Sequence, residues 1–77
     1  MPKYYFHVRD GTGLFKDNEG SLHPSLESAC TEAFRIASEL ARDGGAYAGH
    51  VVSVVDHEGY EVATVPVDTP RERIGSH

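Results

Sequence analysis

Seventy-seven residues carrying a formal charge of -5 and one cysteine make one small domain with a limited core. The acidic balance argues against bulk binding to nucleic acid or anionic lipid, and a single cysteine excludes an intrachain disulfide. No apolar run approaches the length of a membrane span, and no basic segment leads into one, so the expectation is a soluble cytoplasmic protein.

Taken from the N-terminus, Lys3 to Arg9 alternates in the manner of a strand. Tyr4, Phe6 and Val8 share the face expected to enter the core, and Lys3, Tyr5, His7 and Arg9 share the other. Asp10-Gly11-Thr12-Gly13 is a turn signal, with two glycines able to take positive φ. Leu14 to Lys16 then returns as a short second strand, completing a hairpin. Asp17 to Ser25 is polar, contains Gly20 and Pro24, and reads as a loop.

Leu26 to Arg42 is the stretch around which the chain is organised. On a helical wheel Leu26, Ala29, Cys30, Ala33, Phe34, Ile36, Ala37, Leu40 and Ala41 fill one half, and every polar residue falls on the other. Ser25 is placed to cap the helix, Glu27 complements its dipole at the start and Arg42 at the end, and Gly44-Gly45 stops it. Arg35 can pair with Glu32 and Glu39 on the solvent side. Ala33 and Ala37, near the centre of the apolar arc, permit close approach to a sheet. Cys30, inside that half, reads as a reduced filler residue.

His50 to Val55 is strongly β in character, and Asp56-His57-Glu58-Gly59 is a hairpin turn in which Gly59 suits the left-handed closing position. Tyr60 to Val67 returns as the last strand, with Pro66 pointing to a sheet edge. The expected fold is therefore α+β: a β-β-α-β-β two-layer sandwich, one helix on a four-stranded, mainly antiparallel sheet. A sheet order of second, first, third, fourth strand makes all neighbours antiparallel. Residues 1–67 form the domain and 68–77 a flexible tail.

A three-residue loop at 57–59 would set Val54 opposite Val62 and Val52 opposite Thr64, beneath the helix. The other face would then carry Val51, Ser53, Val55, Ala63 and Val65. Both faces of this hairpin would be largely apolar, yet one helix covers only one of them. The expected interface is that second face, and the expected occupant a second copy of the chain or a small protein partner. The alternative is a nucleic-acid surface built on the row Lys3, Tyr5, His7 and Arg9, an aromatic flanked by bases on a sheet.

Catalytic and cofactor chemistry finds little footing. No histidine pair has metal-ligand spacing, so no metal is expected. Asp17 and Glu19, like Asp56 and Glu58, sit beside glycines as turn carboxylates. Gly11 and Gly13 precede a strand, not a helix, and make no phosphate cradle. No nucleophile has a supporting motif. The reading is a non-enzyme without cofactors.

The opening Met1-Pro2-x-Tyr4-Tyr5-Phe6-His7-x-Arg9-Asp10-Gly11 resembles the start of a family of short alphaproteobacterial proteins known only as a domain of unknown function. Asp17-x-Glu19-Gly20, the Ala/Glu-rich helix, Val52-x-Val54-x-Asp56-x-x-Gly59 and Val65-Pro66 extend the resemblance to about residue 67. It implies a stand-alone bacterial cytosolic protein and carries over no catalytic or binding residue.

Overall fold

A computed structural model describes residues 1–43 and 45–67. The chain runs β1 (Lys3–Arg9), β2 (Leu14–Phe15), β3 (Ser21–Leu22), α1 (Leu26–Ala41), β4 (Val51–Val55) and β5 (Glu61–Pro66). The sheet order is β2-β1-β4-β5, with every pairing antiparallel. This is the α+β sandwich and the strand order that the antiparallel argument requires. The expected tail, 68–77, lies outside the described residues, as does Gly44 of the expected helix stop.

The helix begins where its cap chemistry dictates. Ser25 is extended, and its hydroxyl accepts the Ser28 N–H at 3.1 Å. Ala29, Ala33, Ala37 and Ala41, spaced four apart, are its buried residues. Without long side chains on that row, the helix backbone settles directly on Val52, Val54 and Val65 of β4 and β5. The apolar half is only partly used. Phe34, to one side of the alanine row, is 61% exposed, and Leu26, in line with the row but at the first position of the helix, is 41% exposed. Beyond the other flank, the imidazole of His23 covers β1, edge-on to Phe6 at 5.5 Å and tilted against Tyr4 at 6.2 Å.

Two features depart from the sequence-based expectation. First, the segment from 17 to 25 is more than a loop: Ser21–Leu22 pairs with Tyr4 and Lys3 on the same edge of β1 that β2 occupies. The edge strand is interrupted between them by Asp17, whose carboxylate accepts the Phe6 N–H at 3.1 Å and so takes a ladder partner's place. Gly20 closes that interruption with φ +69°, and a Cβ there would lie 2.9 Å from the Tyr5 ring and 3.0 Å from the Tyr4 carbonyl oxygen.

Second, the register of β5 differs. Asp56 and Tyr60 close a three-residue loop as expected, with Gly59 at φ +93°. Val55 then pairs with Glu61, but a bulge follows and sets Val54 opposite Ala63 and Val52 opposite Val65. A one-residue slip moves every later side chain to the other face. Ala63 and Val65 therefore turn under the helix, Val65 being 5% exposed, and Thr64 turns out. Burial explains the choice. An unbulged strand would put the Thr64 hydroxyl and Pro66 against the helix, whereas the bulge buries Val65 and, beyond it, Val67.

Candidate binding face

Directly paired residues share a face, so the registers assign the helix-free side without ambiguity. Four cross-strand rows make it up. Leu22 lies beside Lys3. Tyr5 is followed across the sheet by Val55 and Glu61, and His7 by Ser53 and Thr64. Leu14 begins the last row, followed by Arg9, Val51 and Pro66. Of the five expected interface residues, Val51, Ser53 and Val55 are here. Ala63 and Val65 are not: the bulge turns them to the helix-covered side, which weakens the premise that both faces of this hairpin are largely apolar.

What replaces them comes from the other edge. Leu14 is 54% exposed and Leu22 55%, flanking the half-buried Tyr5, Val51 and Val55. The short edge strands were legible as turns and fragments, but their pairing register, which aims both leucines to this side, was not.

The polar groups of the face are largely satisfied among themselves. Ser53, 3% exposed, donates its hydroxyl to Glu61 Oε1 at 2.6 Å, and Arg9 Nη2 donates to the same oxygen at 3.0 Å. The Ser53 hydroxyl foremost, and then the Arg9 guanidinium, hold the Glu61 carboxyl below its usual range. Arg9 is thereby tied down, and Lys3 sits at the far end of its strand. Of the row Lys3, Tyr5, His7 and Arg9, only Tyr5 and His7 come together, with ring centroids 6.4 Å apart and planes 28° from parallel.

Those two rings, with Val55, floor a depression of about 240 Å³. One wall is Lys16, Asp17 and Asn18 from the interrupted edge; the other is Asp56, His57 and Gly59 from the β4–β5 turn. Both carboxylates are occupied by backbone. Asp17 Oδ1 accepts the Glu19 and Gly20 N–H groups at 3.1 and 3.0 Å, and its Oδ2 accepts Phe6. Partial burial pushes the Asp17 carboxyl up, but the N–H groups of Gly20, Phe6 and Glu19 together draw it below the usual range. Asp56 Oδ1 accepts the Glu58 and Tyr60 N–H groups at 2.9 and 3.0 Å.

The Asp17 N–H donates to His7 Nδ1 at 3.0 Å. Nδ1 is therefore an acceptor, and the neutral ring carries its proton on Nε2. Turn chemistry in Asp17-x-Glu19-Gly20 was readable from the residues. Its location, clamped against His7 across the sheet edge, was not, because it depends on a contact ten residues away.

Elsewhere, Asp10 Oδ1 accepts the Thr12 and Gly13 N–H groups at 2.8 and 2.7 Å, closing the first hairpin without a positive-φ glycine. These N–H groups, Thr12 first, hold its carboxyl below the ordinary range. Its Oδ2 lies 3.2 Å from His50 Nε2. Among the described residues, no group of three or more His, Cys, Asp or Glu is placed to hold a metal ion. No described helix is long and apolar enough to cross a membrane.

Neither the curated proteins nor the solved structures contain a match to this chain. Residues 3–68 match the model of a family described as a domain of unknown function, DUF6894, and the chain belongs to that family.

Proposed function

We propose that this protein is a non-catalytic interaction module that binds a protein partner, in the simplest case a second copy of itself, through the helix-free face of its sheet. One observation carries the reading. The face combines exposed Leu14 and Leu22 with half-buried Tyr5, Val51 and Val55, while Arg9 and Glu61 at its centre already pair with each other, Glu61 also with Ser53, and Lys3 stands at one end. The centre of such a surface can be covered without stranding an unpaired charge, Lys3 being left at the rim in water, and apolar contact then supplies the free energy. So small a core, in which the largest fully buried side chains are Val52 and Val54, also gains stability from such association.

Light scattering across a concentration series tests this. The expected result is a mass that rises to twice that of the chain, or that rises with an added partner, and that Val55→Glu returns to one chain without loss of helical circular dichroism. A constant single-chain mass, with no partner recovered by crosslinking at Leu14 or Leu22, would sink the proposal. The nucleic-acid alternative gains no support from the charges, since Arg9 is neutralised by Glu61. A salt-sensitive shift with short oligonucleotides would restore it.

A further inference from the structure

The geometry points to a small-ligand site on this face: the Tyr5–His7–Val55 depression takes an uncharged planar ring that carries a hydrogen-bond acceptor at its edge, such as a ring carboxamide. The inference shares with the previous section only the premise that the helix-free face is open for binding.

The shape comes from the two walls. The edge interruption at Lys16–Asn18 and the turn at Asp56–Gly59 rise on opposite sides of a floor made from two aromatic rings and a valine, which leaves room for a body of about one or two rings. Aromatic floors favour flat partners through stacking and dispersion.

The choice of an uncharged ligand follows from the balance of groups. One ammonium, Lys16, faces two carboxylates, Asp17 and Asp56. The carboxylates hold five backbone N–H groups between them. An anionic ligand meets a formal excess of negative charge. A cationic one competes with those amides and meets Lys16. A neutral ring disturbs neither.

The hydrogen bond follows from the tautomer. His7 lines the depression, its Nδ1 is engaged by the Asp17 N–H, and its Nε2–H has no partner among the described residues. A donor whose state is fixed by the backbone selects an acceptor. The His57 ring in the facing wall adds a second edge that can donate or accept.

The test is an NMR titration of the intact protein with nicotinamide, benzoate and benzylammonium, read on the Tyr5 and Val55 signals and on the His7 ring nitrogens. In the free protein the ring nitrogens should report the Nε2–H tautomer. Nicotinamide should shift Tyr5, Val55 and His7 Nε2 together, in one saturable process. Benzoate and benzylammonium should each bind at least about tenfold more weakly, the scale of a mismatched charge in a partly desolvated site. Removing the donor in His7→Phe should weaken nicotinamide by about tenfold. Since that change also frees the Asp17 N–H, Val55→Glu, which fills the floor from the other strand, serves as the second variant and should abolish the shifts. Glu27→Gln, in the first turn of the helix, should leave them unchanged. Tighter binding of either charged ring, an Nδ1–H tautomer, or no Tyr5 and His7 response to nicotinamide would overturn the assignment. A single-chain mass with nicotinamide bound would remove the protein partner and keep this site. A Val55-dependent dimer silent to all three rings would do the reverse.

Discussion

The two faces of this sheet are built from the same strands and obey different rules. The helix-covered face works by volume. Ala29, Ala33 and Ala37 meet Val52, Val54 and Val65 in a contact that is apolar throughout, and what matters there is how closely two backbones approach. The helix-free face works by direction. Ser53, Glu61 and Arg9 are held by hydrogen bonds, and the Asp17 segment is fastened to His7 and to the β1 backbone. A surface governed by volume tolerates apolar exchange of equal size and little else. One governed by hydrogen bonds stores its identity in particular atoms, which is what a binding surface needs.

The comparison breaks most severely where volume is violated. Ala33→Leu, at a fully buried contact, should destabilise the fold by roughly 3 kcal/mol or prevent folding, whereas Ala→Leu at exposed Ala46 should be nearly silent; thermal melts of the two variants decide it. Next comes Gly20→Ala. It forces a side chain into the left-handed region and against the Tyr4 carbonyl, and should cost about 2–3 kcal/mol, read by urea unfolding. Asp17→Asn should cost about 1–3 kcal/mol, because a neutral amide cannot replace a carboxylate that accepts three backbone N–H groups. It should also loosen Tyr5 and His7 while leaving amide exchange in the helix-covered β4 positions close to the global value. Ser53→Ala should cost about 1 kcal/mol, and less in an Arg9→Gln background if the three groups act as one network.

Acid sharpens the contrast further. The carboxyls of Asp10, Asp17, Glu32 and Glu61 all lie below their ordinary values of 3.8 for Asp and 4.5 for Glu. A group depressed in the folded state contributes stability that is present above its unfolded value and is lost as pH falls through its folded value. Stability should therefore be flat above about pH 5.5 and decline progressively below about pH 4.5. Three of the four groups, Asp10, Asp17 and Glu61, hold strand edges, a turn or the helix-free face. Acid should therefore loosen Tyr5 and His7 before Val52 and Val54, as amide exchange at pH 3 to 5 would show. Uniform loosening would mean that the two faces are not separable.

Most of the architecture was legible because it rests on local chemistry. The Ser25 cap, the alanine row, the Gly59 turn and the Glu32–Arg35–Glu39 pairing are each decided within a few residues, and each occurs as expected. The errors have one source. The alternation in Tyr60 to Val67 is compatible with two registers, because Val62 and Val65 are equally apolar and sit on opposite phases. Turn chemistry fixes only the first pair after the loop. The bulge between that pair and the rest is selected by what the helix accepts beneath it. The same limit hid Ser21–Leu22, whose two residues carry no periodicity and become a strand only because β1 offers an unpaired edge.

The residues by themselves determined that one alanine-seamed helix lies on an antiparallel sheet, since cap, period and turn signals are all short-range and agree. Only the tertiary structure decided which valines the helix covers and that Leu14 and Leu22 join Tyr5 and His7 on the helix-free side. The choice of valines turns on one bulged residue, and the side the leucines take on how two short strands pair with β1; both are settled by competition for burial and pairing across the sheet, not by the sequence beside them.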